Sequence, residues 1–260
     1  MKILKFKKQS KDKYMLYLDD NSKITLYEDV IIKNNLLITK QIDKKLLDII
    51  EKENNDRKSY ILAVNYISIK MRSIKEIKEY LIKKGFSNEN IDKQINQLIA
   101  DGNLNDEKFT ISFINDNVNL TNKGPLKIKN ELIKYGINND IIEEKINLID
   151  DDIVKDKLNN LIDKQLRKKK GSENAIKIKL INYFINLGYS KDMIITLLSN
   201  KKISSDKNKI KKDYEKLYNK YKVKYNEEEL LYFISQKLYS KGYTACDIKE
   251  IILEEKERPK

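Results

Sequence analysis

Four segments of this chain share one grammar, and that repetition constrains the fold more than any other feature. Residues 77–91 read IKEYLIKKGFSNENI, residues 128–142 IKNELIKYGINNDII, residues 180–194 LINYFINLGYSKDMI, and residues 234–248 ISQKLYSKGYTACDI. Each centres on a glycine, Gly85, Gly136, Gly188 or Gly242, at intervals of 51, 52 and 54 residues. Eight residues before each glycine stands Ile77, Ile128, Leu180 or Ile234, and four before it Leu81, Leu132, Phe184 or Leu238. Apolar residues at those offsets line one face of a helix. A glycine then ends the helix, because the residue past a helix terminus commonly takes a positive φ. Phe86, Ile137, Tyr189 and Tyr243 follow, placed to pack back on the helix just ended. Next come Ser87, Asn138, Ser190 and Thr244, suited to cap a second helix. Thr244 with Asp247 is a loose variant of a capping box. Six residues after each glycine is an isoleucine. Four copies at near-constant period predict an array of repeats.

A third helix precedes each pair. Tyr60, Ala63, Val64, Ile67 and Met71 form an apolar stripe at helical spacing, and comparable stretches are 109–118, 153–166 and 210–225. The expected fold is mainly α: tandem three-helix repeats forming an elongated, curved array. The repeats are placed at 57–104, 105–150, 151–202 and 203–256. Residues 1–56 fall outside the pattern. Residues 2–8, 14–18 and 23–27 read as strands of a small β-hairpin or three-stranded meander. A short helix is expected at 29–34 and a longer one at 43–54, with Glu53-Asn54-Asn55-Asp56 as a polar junction. Pro125 follows Gly124 where a helix would begin.

The composition narrows function by exclusion. The chain has no histidine, which removes histidine general bases, Ser-His-Asp and Cys-His arrangements, and histidine-containing metal sites. Cys246 is the single cysteine, which excludes a disulfide framework and points to a reducing cytoplasm. It is read as an ordinary half-buried thiol. No apolar run reaches the roughly 20 residues of a transmembrane helix, so no membrane role is expected. Lys170-Gly171-Ser172 lacks the other features of a phosphate loop. The acids cluster as Asp19-Asp20, Asp150-Asp151-Asp152 and Glu227-Glu228-Glu229, at element ends where carboxylates favour helix N-termini. No catalytic residue, metal or cofactor is expected.

The net charge of +13, with a pI near 9.3, points to an acidic partner, nucleic acid first. Residues 201–224 hold ten lysines against Asp206, Asp213 and Glu215, and KQLRKKK at 164–170 holds five cations and no acid. Candidate binding surfaces are Lys70, Arg72, Lys83 and Lys84 in the first repeat, and Lys127, Lys129 and Lys134 in the second. Arg167, Lys168, Lys169 and Lys170 serve the third, and Lys207, Lys209, Lys211 and Lys212 the fourth. Tyr214, Tyr218, Tyr221 and Tyr225 recur at helical spacing among lysines. They read as the buried seam of a long helix; the alternative is a stacking platform for single-stranded nucleic acid.

Residues 67–113 carry a family resemblance. ISIKMRS at 67–73 is similar to the Leu-Ser-x-Arg-x-Arg-Ser stretch of the RecX family of recombination regulators. Lys84-Gly85-Phe86 matches its Lys-Gly-Phe, and Gly102-Asn103-Leu104-Asn105-Asp106 with Phe109 matches Gly-x-x-Asn-Asp-x-x-Phe/Tyr. Gly124, Ile128, Leu132, Gly136 and Ile137 follow the family's second copy. Ile67 replaces a leucine, Lys70 an arginine and Thr110 the usual alanine. Lysine keeps the charge at 70 but loses the bidentate fork. The resemblance implies a longer, Gram-positive-type member with an N-terminal β element and an extra C-terminal repeat. It also implies a non-enzymatic, monomeric modulator that lies in the groove of the RecA–single-stranded-DNA filament and inhibits ATP hydrolysis, strand exchange and filament growth. The alternative is a stand-alone DNA-binding protein using a helix-turn-helix-like pair, such as 74–85 with 88–100.

Overall fold

The computed structural model describes residues 1–257. Three antiparallel strands open the chain in the order β1 (Ile3–Ser10), β2 (Lys13–Leu18), β3 (Lys23–Tyr27). This is the three-stranded form of the expected meander, with Asn21 at φ 66° in the β2–β3 turn. Two short helices follow, α1 (Glu28–Lys33) and α2 (Leu36–Thr39). Alternation along β2 buries Leu16 and Leu18, which join Leu26, Val30, Ile31, Leu36, Ile42 and Ile50 in one core.

Helix α3 runs unbroken from Lys44 to Ile69. The polar junction expected at 53–56 therefore does not exist. Those residues are helical, and their side chains satisfy the sheet: Asn54 accepts from the backbone N–H of Tyr27 at 2.9 Å and donates to the carbonyl of Thr25 at 3.0 Å. One helix thus belongs both to the N-terminal core, through Ile50, and to the first repeat, through Ala63.

The remaining helices come in threes. The first repeat completes α3 with α4 (Ile74–Lys83) and α5 (Asn88–Ala100). The second holds α6 (Asp106–Leu120), α7 (Pro125–Lys134) and α8 (Asn139–Asn147). The third holds α9 (Asp151–Leu166), α10 (Glu173–Asn186) and α11 (Lys191–Ser199). The fourth holds α12 (Lys207–Tyr221), α13 (Glu227–Ser240) and α14 (Ala245–Lys256). Helix α12 stops at Tyr221, four residues short of the expected end, so Tyr225 lies in the following turn.

The repeat grammar translates directly into burial. The isoleucines six residues past each glycine are all buried, as are the apolar residues eight and four before it. Gly85, Gly136, Gly188 and Gly242 take φ values of 86°, 79°, 90° and 86°. At Gly188 the turn is a Schellman motif: Tyr189 N–H reaches Phe184 O at 3.1 Å and Gly188 N–H reaches Ile185 O at 2.9 Å. Ser87, Asn138, Ser190 and Thr244 each accept a backbone N–H in the next helix, and Thr244 forms a full capping box with Asp247.

By contacts the described residues divide into two compact units, residues 1–110 with 135–137, and residues 111–134 with 138–257. Within the first, the Ser73 hydroxyl at the start of α4 donates to Tyr135 O at 2.9 Å, and a Cβ on Gly136 would meet the Lys75 side chain at 2.8 Å. The second unit repeats this device twice. Gly124 N–H donates to Leu187 O at 2.7 Å and Leu126 N–H to Gly188 O at 3.0 Å. Ser172, the N-cap of α10, donates to Lys241 O at 2.7 Å, beside Gly242. The turns at Gly136, Gly188 and Gly242 are therefore each held against the start of a middle helix about 60 to 70 residues earlier. Gly85 has nothing within 4 Å of where its Cβ would sit.

Candidate functional site

The cations of the first repeat divide into two kinds. Lys83, in the last turn of α4, and Lys84, its C-cap, lie exposed, with the Lys84 ammonium 5.5 Å from the centre of the Tyr80 ring. Lys70 is exposed and 3.8 Å from Glu76. Arg72 is not a free surface cation, since its side chain is only 11% exposed. Its guanidinium lies 3.8 Å from the centre of the Tyr66 ring and pairs with Glu76 at 3.0 Å, while Tyr66 stacks on Tyr80 at 4.2 Å. Glu76 in turn closes the capping box of Ser73. Arg72 thus braces the start of α4 as well as carrying charge. The basic motif alone gives no sign of this. The Tyr66 and Tyr80 rings supply it.

In the second repeat Lys129 pairs with Glu143, and Lys127 is half-buried with its ammonium 3.5 Å from Asn186 O. Lys134 is exposed in the last turn of α7. In the fourth repeat Lys207 pairs with Glu250, and Lys211 lies 3.6 Å from Glu255. Lys209 and Lys212 are exposed. Arg167, Lys168, Lys169 and Lys170 differ from these. They occupy the turn that ends α9, three of them exposed and Lys169 half-buried, and among the described residues no carboxylate lies within 4 Å of any of them. Four cations at the C-terminal end of a helix also lie where the macrodipole favours positive charge. This turn concentrates positive charge that no carboxylate among the described residues neutralises.

The tyrosine stripe divides rather than forming one seam. Tyr214 is buried in the fourth-repeat core and Tyr221 packs against it, whereas Tyr218 and Tyr225 remain 39% and 38% exposed. Phe233, which the sequence pattern did not single out, joins Tyr221 at 4.7 Å and Tyr225 at 5.1 Å.

The acidic groups serve helix starts and a strand turn. Asp150 accepts from Asp152 N–H at the start of α9, Glu227, Glu228 and Glu229 form the first turn of α13, and Asp20 accepts from Ser22 in a strand turn. Cys246 is exposed in the first turn of α14, not half-buried as expected. Among the described residues no group of three or more acidic or cysteine side chains could hold a metal ion, and no helix is long and apolar enough to cross a membrane.

Three polar side chains, Thr110 buried and Asp106 and Lys157 half-buried, pair with backbone groups of the scaffold. Thr110, fully buried where the resemblance expects alanine, donates to Asp106 O at 2.7 Å, so its hydroxyl is satisfied within α6. Asp106 accepts from Ile74 N–H at 2.8 Å, and burial holds its carboxyl above the usual range. Lys157 on α9 donates to Val118 O at 2.6 Å near the end of α6, and burial lowers its pKa.

Three-helix units in tandem, joined through glycine turns and carrying an unpaired basic corner, place the chain in the class of helical-repeat proteins. Residues 60–98 match the model of the first three-helix domain of RecX, and residues 105–146 that of the second. The regulatory protein RecX of Streptococcus uberis is 31% identical over 263 residues, covering 98% of this chain and 99% of the relative. That of Streptococcus gordonii is 32% identical over 258 residues, covering 97% and 98%. A crystal structure of regulatory protein RecX shares the fold with a TM-score of 0.66 at 22% identity, covering 76% of this chain and 99% of that one. The chain belongs to the RecX family, whose curated members among these relatives are named as regulatory proteins.

Proposed function

We propose that this chain is a non-enzymatic, cytoplasmic regulator of RecA in DNA repair, recombination and the SOS response. It binds the RecA–single-stranded-DNA filament along its groove and restrains ATP hydrolysis, strand exchange and filament extension. The observation that carries this reading is the match to regulatory RecX relatives along almost the whole chain. The repeat architecture supports it, because repeated units offer successive contacts to a partner that is itself periodic. We assign the repeats to 57–104, 105–150, 151–202 and 203–256, with the first borrowing the end of α3.

The contact surface is basic. Arg167, Lys168, Lys169 and Lys170 form its centre, since no carboxylate neutralises them, with Lys83 and Lys84 as a second contact. Lys70, Lys127, Lys129, Lys134, Lys207, Lys209, Lys211 and Lys212 extend it, several of them exchanging an internal acid for a phosphate or an acidic partner face. Arg72 acts by holding the Lys70–Ser73 segment in place.

The test is filament length. RecA assembled on single-stranded DNA and imaged with increasing amounts of this protein is expected to yield progressively shorter filaments. An unchanged length distribution at saturating protein rejects the reading.

A further inference from the structure

We infer that the fourth repeat carries a base-stacking surface for single-stranded nucleic acid, built where α12 meets α13. Four tyrosines of this repeat, Tyr218, Tyr225, Tyr232 and Tyr239, are more than a third exposed, and only one other tyrosine among the described residues, Tyr183, is comparably open. Such a concentration of rings on one repeat is not required by its core, which is already filled by Ile210, Tyr214, Leu230, Ile234 and Leu238.

Ring geometry separates this surface from a buried seam. Tyr218 lies nearly parallel to buried Tyr214, at 6.0 Å and 19°, and Tyr225 lies nearly parallel to Phe233, at 5.1 Å and 24°. Each ring therefore rests on a more buried ring while keeping over a third of its surface open. A supported aromatic face of this kind accepts any nucleobase, because every base presents a π-face. It also costs little ordering on binding, since the ring beneath already fixes its plane.

The cations are placed to match. The ammonium groups of Lys220 and Lys224 lie 5.3 and 6.0 Å from the centre of the Tyr221 ring, and that of Lys237 lies 5.4 Å from that of Phe233. None of the three has a carboxylate within 4 Å among the described residues. Stacking rings flanked by unpaired ammonium groups suit bases and backbone phosphates together.

The experiment compares two labelled strands by fluorescence anisotropy with the intact protein: a short oligodeoxythymidylate and an abasic oligomer of the same length and charge. The base-bearing strand is expected to bind about tenfold more tightly. The double variant Y218L/Y225L, which keeps apolar packing, should lower it to the abasic level and leave abasic binding unchanged, with the circular dichroism of the wild type. Equal affinity of the two strands for the wild-type protein overturns the inference without recourse to any variant. So does undiminished binding by a folded Y218L/Y225L, and so does failure of the wild type to bind either strand. No RecA is present, so the outcome is independent of the filament reading above.

Discussion

The Ser73 hydroxyl donates to the carbonyl of Tyr135 at 2.9 Å while the same oxygen accepts the backbone N–H of Glu76 at 3.2 Å. One side chain thus caps α4 and fastens it to a turn 62 residues away. The pairing explains the regular interval between the glycines. Each unit must return its turn to the same place on the preceding middle helix, and Ser172 with Lys241 reproduces the geometry at 2.7 Å. Replacing Ser73 by alanine removes the cap and the hydroxyl that the half-buried Tyr135 carbonyl accepts from. The expected loss is about 2 kcal/mol, measured as a shift in the denaturant midpoint at unchanged slope.

The glycines are not equivalent, and the difference is testable. At Gly85 a methyl group meets open space, so Gly85→Ala is opposed only by the positive φ, about 1–2 kcal/mol. At Gly188 a Cβ would lie 2.3 Å from Lys127 N, a backbone atom that cannot swing aside. Gly188→Ala is therefore expected to cost roughly 2 kcal/mol or more beyond Gly85→Ala. Equal thermal shifts for the two variants would contradict the docked-turn geometry.

The fourth repeat holds a half-buried carboxylate with a definite pH signature. Burial raises the pKa of Asp213, but hydrogen bonds from Lys241 at 2.9 Å and Tyr243 at 2.9 Å outweigh it and hold the group below its ordinary 3.8. A depressed carboxylate stabilises the fold fully above its unfolded pKa and loses that contribution as pH falls through the folded value. The gap in thermal stability between wild type and Asp213→Asn should be widest above pH 3.8 and close below it. A gap that widened on acidification would reverse the assigned sign. Tyr243 carries the other half of the bond: burial and then Asp213 push its hydroxyl well above the ordinary range, so it remains a donor throughout.

Charge reversal at Arg167, Lys168, Lys169 and Lys170 tests the proposed contact surface. Inhibition of RecA is expected to weaken and to become less sensitive to salt, the logarithmic slope falling by about 0.7 for each lost phosphate contact on a single strand. These side chains are not among the buried core, so folding should be retained. Inhibition equal to wild type at every salt concentration would remove this turn from the interface.

Much of the scaffold is legible in the sequence because its rules are local. A helix end that needs positive φ selects glycine, and the helical period places Ile77, Leu81 and Ile91 in one core. The continuity of α3 was not legible, because the polar run 53–56 looks like a junction until the sheet is present to take the hydrogen bonds of Asn54. The candidate site was legible only as charge. A count along the chain cannot see that Lys207 meets Glu250, Lys129 meets Glu143, or that Arg72 lies over Tyr66, since these partners come from other helices. The turn at 167–170 stands out only after such pairs are known. Likewise the tyrosine stripe divided because α12 ended at Tyr221, freeing Tyr225 to turn back onto Phe233.

The most direct test of the central claim is RecA ATPase on single-stranded DNA, titrated with this protein at fixed salt. A saturable fall in the hydrolysis rate is expected as the protein is added, with no hydrolysis by the protein alone. A rate that stays constant up to a clear excess of protein over RecA would contradict it.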